Sequence, residues 1–162
     1  MMQNPLPELI RRLIDLREDI AQMAESSPER ALSLGREYAT CESPNYIEAD
    51  YIFDTLSKSK DKKIKGIALL YDHVLLSLSY PRTRNSKLSD LVVRGLLRCM
   101  LVARKMHAGD SLPKEDLFAI DTLVDRAVSE DLLIQDRRTF EKEYCKFKEY
   151  VTNVFLDQKK EK

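Results

Sequence analysis

Four separate stretches of this chain place apolar residues at successive spacings of 4, 3, 4 and 3. They are Leu9-Leu13-Leu16-Ile20-Met23, Ile64-Ala68-Tyr71-Leu75-Leu78, Leu88-Val92-Gly95-Cys99-Val102 and Phe140-Tyr144-Phe147-Val151-Val154. At about 100° per residue, that rhythm gathers each set on one side of an α-helix. A strand needs a period of two, and alternation of that kind is not sustained beyond four residues anywhere in the chain. The repetition therefore predicts an all-α protein in which helices bury one face against one another. With only 4 Gly and no Trp, the chain is also poorly equipped for the frequent turns of a β-sandwich.

Breakers and caps divide the chain. A first helix is expected from about Pro5 to Ala24, with Asn4 as its cap. Ser27-Pro28 opens a second helix that ends near Thr40, and Pro44 marks the next break. Asn45-x-x-Glu48 has the spacing of a capping box at the start of a third helix. The polar run Ser57 to Lys63 leads into a fourth, about Lys62 to Tyr80, ended by Pro81. A fifth spans Lys87 to His107, with Gly109 as its stop. A sixth opens around Ser111-Glu115, the chain bends near 129–136, and a seventh runs from about Asp136 to Asp157. The reading is a single-domain bundle of six to seven helices over 1–157, with 158–162 as a disordered tail. No repeat signature points to a solenoid.

The formal net charge is +0, but its distribution is uneven. Residues 1–56 carry 5 Lys/Arg against 11 Asp/Glu, a net of −6; residues 57–105 carry 12 against 3, a net of +9; residues 106–162 carry 10 against 13, a net of −3. A basic middle third either pairs with the acidic ends or meets an anion outside the molecule. Within it Lys87, Arg94, Arg98 and Lys105 fall within about 40° of one another on the fifth helix, which is otherwise mostly apolar. That predicts a helix buried on most sides with one cationic ridge. Lys62 and Lys63 precede it, and Arg82 and Arg84 extend the charge into the loop beside Tyr80. Cations in a line suit a nucleic-acid backbone, and an aromatic residue in a loop can stack on an unpaired base. Single-stranded RNA or DNA is the expected partner, because no polar recognition helix is offered to a groove.

No chemistry-bearing motif emerges. His73 and His107 are far apart in sequence, neither has a Glu three residues before it, and no cysteine has a Cys neighbour, so no metal site or cofactor is expected. Ser59-x-x-Lys62 lies in a lysine-rich connection. No glycine-rich phosphate loop exists. Cys41, Cys99 and Cys145 read as reduced core residues, His73 as a core histidine and His107 as a surface residue near a helix end. No apolar run reaches the roughly 18 residues of a membrane span, and no signal peptide opens the chain, so a cytoplasmic protein is expected.

The resulting expectation is a non-catalytic binding module, an accessory subunit of a larger assembly, with residues 57–105 contacting single-stranded nucleic acid. The alternative is a protein-interaction adaptor whose basic ridge meets an acidic partner or its own acidic helices. A small helical enzyme is the third reading. The aromatic seam of the last helix is expected in the core, with self-association or docking to other subunits as the alternative.

Overall fold

Seven helices form wherever the apolar rhythm is uninterrupted, and local side-chain chemistry sets several of their ends. In a computed structural model that describes residues 6–79, 86–129 and 137–160, they are α1 Leu6–Ser26, α2 Pro28–Thr40, α3 Tyr46–Leu56, α4 Lys62–Ser79, α5 Ser86–Ala108, α6 Lys114–Ser129 and α7 Arg137–Lys160. No strand occurs among the described residues. The fold is an all-α, single-domain bundle. No described helix is long and apolar enough to cross a membrane.

Pro28 stands at the start of α2 as expected, although Ser27 makes no side-chain cap there. The Asn45 side chain does cap α3, accepting the Glu48 backbone N–H at 3.2 Å. Asp61 does the same for α4, accepting from Lys63 at 2.9 Å and Ile64 at 3.4 Å. At the end of α5 the expected glycine stop is displaced by one residue. Asp110, not Gly109, takes the left-handed conformation, with φ 60°. Ser111 N–H reaches Met106 O at 2.7 Å and Asp110 N–H reaches His107 O at 3.1 Å, the paired bonds of a Schellman turn. A short polar Asp tolerates that conformation better than most residues. The last helix continues to Lys160, so residues 158–160 of the expected tail are helical. The cap expected at Asn4 and the bend expected at 130–136 lie outside the described residues.

Three helices each pack against four others, α2 against α1, α3, α4 and α6. α4 packs against α2, α3, α5 and α6, and α6 packs against α2, α4, α5 and α7. α5, expected to be the element the others surround, lies to one side, against α4, α6 and α7. Close packing at the α2–α3 seam depends on Gly35: a methyl group there would sit 2.9 Å from the Phe53 ring. Phe53 is in turn buried and stacked on Tyr71 of α4, with ring centroids 4.2 Å apart and 1° between planes. The α7 seam of Phe140, Phe147 and Val151 is buried, so its aromatic face belongs to the core.

Polar groups tie the layers together. Asp116, fully buried on the first turn of α6, accepts from Tyr71 Oη at 2.6 Å and from Arg36 Nη1 at 2.9 Å. Burial first, then the adjacent Asp116, push the Tyr71 phenol well above its usual range. Burial opposes the Arg36 charge, but Asp116 more than offsets that and the guanidinium pKa is raised. Arg126 of α6 closes the other end of α2, donating to the carbonyls of Ala39 at 2.7 Å, Thr40 at 2.9 Å and Cys41 at 3.1 Å. Those carbonyls have no partner within the helix, and a cation is favoured beside them.

Candidate binding groove

α4 and α5 run antiparallel, since Gly66 lies against Met106 and Gly95 against Ser77. Gly95 is where α5 presents no side chain to α4: a methyl group there would come within 3.4 Å of Ser77 Oγ. Along this pair the bundle leaves a trough of about 630 Å³. Its floor and walls are Gly66, Leu69, Leu70, Leu76, Val92, Cys99, Val102 and Met106, and its charged or titratable lining residues are His73, Arg94 and Arg98. No carboxylate is among the described residues that line it. Part of the rim is apolar and open to water: Leu69 is 40% exposed, Leu76 55% and Val102 38%.

The groove exists because α4 carries more apolar residues than its neighbours cover. Ile64, Ala68, Tyr71 and Leu75 face the core as expected. The opposite stripe Gly66-Leu69-His73-Leu76 has the same helical spacing and no helix over it. Periodicity cannot say which of two apolar stripes is covered. For that reason His73, expected in the core, is exposed, and so is Leu76.

α5 is rotated relative to expectation. Its buried residues are Val92, Val93, Leu96, Cys99, Met100 and Ala103, while Val102, placed by periodicity on the inner seam, is on the groove rim. The helix is thus less submerged than its composition suggested. Its cationic ridge is real where it is described: Arg94, Arg98 and Lys105 are all exposed. They share that face with Leu101, so the ridge is interrupted by an apolar residue. Lys62 and Lys63 are exposed at the start of α4, toward the Met106 end of the trough. Arg82 and Arg84 lie outside the described residues, as does the side chain of Lys87.

Among the described residues, no ion pair engages Lys62, Lys63, Arg94, Arg98 or Lys105. The described carboxylates of the acidic ends therefore leave these cations alone. Where the ends do reach the basic third they meet other residues, Arg104 to Glu143 at 3.9 Å and Lys58 to Asp54 at 3.8 Å. The carboxylates of α3 have a different neighbour, Asp72 on α4. Its half-buried carboxyl is pushed up to about 7 by burial and by the charges of Asp50 and Asp54.

Catalytic constellations are not assembled around the groove. Cys99 is buried in its wall, and burial pushes its thiol up to about 12 against the opposing charge of Arg98, so no nucleophilic thiolate is available near neutral pH. The other two cysteines are exposed and free, contrary to the expected core placement. Cys41 follows the last turn of α2, and its thiol approaches Ser43 O at 3.3 Å. Cys145 lies one residue off the α7 seam, on its outer face. His107 is half-buried rather than on the surface, 2.5 Å from Tyr150 Oη through Nδ1. No group of three or more His, Cys, Asp or Glu among the described residues could hold a metal ion.

No family model, curated protein or solved structure matches the chain. The groove must therefore be read on its own chemistry. It offers an apolar floor about 16 Å long between the levels of Gly66 and Ser77, at 1.5 Å per residue, with cations at its edge. What fits it must bring apolar side chains and negative charge together.

Proposed function

We propose that the protein is a non-catalytic helical adaptor whose α4–α5 groove binds an acidic segment of a protein partner, as an accessory subunit would. The observation that carries this reading is the coincidence of Arg94 and Arg98, exposed and without ion pairs among the described residues, with the exposed apolar rim Leu69, Leu76 and Val102. Uncovered apolar area of this kind is the driving term for association, and charges at its margin steer and select the partner. A nucleic acid uses such a surface less well, because no aromatic residue is among the described residues that line the groove to receive a base.

One observation does favour a second reading, contact with a single-stranded nucleic-acid backbone. Arg94, Arg98 and Lys105 stand on one face of α5 over about 16 Å, a spacing that can follow phosphates. Titration with two fluorescent probes separates the readings, one a leucine- and glutamate-rich peptide and the other a 20-nucleotide oligouridine. The adaptor reading expects the peptide to bind at low salt and Arg94→Glu with Arg98→Glu to abolish it. Binding of the oligonucleotide alone, with a steep fall in affinity as salt rises, would replace the adaptor by the nucleic-acid reading. No binding of either probe would remove both.

A further inference from the structure

We infer that the occupant of the α4–α5 groove is a single amphipathic helix of about three turns, acidic at its margins, laid along the trough as a third helix against the pair. This inference rests on the adaptor reading and adds the conformation and register of the partner.

The geometry favours a helix over the other ways of filling an apolar trough. Gly66, Leu69, His73 and Leu76 repeat on α4 at spacings of 3, 4 and 3, the same rhythm that its core stripe uses to receive helices inside the molecule. Two antiparallel helices leave between them a straight furrow, and a third helix packs into such a furrow at 8–10 Å from each axis. Its length, about 16 Å at the helix rise, matches eleven residues of a partner helix. Anchors at i, i+4 and i+7 would then lie along the floor. Gly66 presents no side chain to that floor, and a methyl group there would meet only Met106, at 3.6 Å, so a partner backbone can come close.

Other occupants match less well. A small amphiphile needs most of its surface enclosed, whereas this trough is bounded by half-exposed leucines that a broader partner would cover. An extended strand has no sheet edge to join, since no strand occurs among the described residues. The sign of the partner follows from the rim, where Arg94 and Arg98 stand with no carboxylate among the described lining residues. A basic helix would be repelled and a neutral one would leave both guanidinium groups without a partner.

The test uses the full chain, isotopically labelled for amide NMR, and two 18-residue peptides of identical composition. In the first, leucines at i, i+4, i+7 and i+11 form one stripe among glutamates and alanines; in the second, the order is shuffled so that no stripe forms. The expected result is that the striped peptide binds about tenfold or more tightly, shifts amides of α4 and α5, and gains helical circular dichroism on binding. Leu69→Ser and Leu76→Ser, both at exposed positions, should each weaken it about tenfold while leaving the protein folded. Equal binding of the two peptides would overturn the helix inference while the adaptor reading stands. Binding of neither would remove the adaptor reading itself. Concentration-dependent shifts of the same amides without peptide would make a second copy the occupant and overturn the inference.

Discussion

Two clusters of cationic side chains sit on opposite sides of α4 and behave in opposite ways. On the inner side Arg36 is joined to Asp116, which also takes the Tyr71 hydroxyl, and three helices are fixed by one carboxylate. On the outer side Arg94 and Arg98 stand beside the groove with no carboxylate among its described lining residues and no ion pair among the described ones. Charge removed from water must be paired or it destabilises the fold; charge left in water has no such requirement and stays available. The first cluster is architecture. The second is surface that the fold neither needs nor covers, which is what a binding site looks like before its partner arrives.

The largest expected break of that contrast is on the inner side. Asp116→Ala leaves a partly buried guanidinium and a buried hydroxyl without their acceptor and should cost about 3 kcal/mol in urea unfolding. Gly35→Ala tests the packing next to it. Alanine's helix preference is worth about 1 kcal/mol, but its methyl group meets the buried Phe53 ring at 2.9 Å. A net loss of about 1–3 kcal/mol is expected, in keeping with overpacked cores.

A smaller effect, with a sign that depends on pH, is expected at Asp72. Its folded carboxyl is raised to about 7 from the usual 3.8 of the unfolded chain, so the folded state holds the proton more tightly. That contribution is fully present below about pH 3.8 and is lost as pH rises through about 7. Asp72→Asn should therefore flatten the decline in stability between pH 4 and 8 and stabilise the protein at pH 8. The group is only half-buried and water screens it, so the gain should be on the order of 1 kcal/mol. Thermal melts across that pH range measure it.

The smallest effect on stability sharpens the comparison most. Arg94→Glu with Arg98→Glu should leave the unfolding free energy within about 0.5 kcal/mol, as exposed substitutions usually do, while abolishing capture of the acidic peptide. A large loss of stability from this pair would mean that the outer cations hold the fold together, and the distinction between the two clusters would fail.

Much of the architecture was legible in the residues. The α2 range, the Asn45 cap and the buried seam of α7 all follow from local signals: a proline, a short polar side chain, a helical rhythm. The candidate site was legible only in part. Arg94, Arg98 and Lys105 were found because charge on an apolar helix stands out. His73 was misplaced because α4 is apolar on two sides, and a residue's own neighbours in sequence do not say which side is covered. Asp116 gave no signal at all. An aspartate on the first turn of a helix is ordinary, and Arg36 and Tyr71 come to it from 80 and 45 residues away.

The sequence by itself determined that this chain is helical, roughly where each helix starts and stops, and that its middle third is basic, because caps, breakers and apolar period act within one or two turns of chain. Only the tertiary structure decided which apolar stripes are buried, how α5 is rotated, and that the groove cations go without carboxylate partners among the described residues. Those outcomes depend on which helices pack side by side, and that competition for apolar area is settled between segments far apart in the chain.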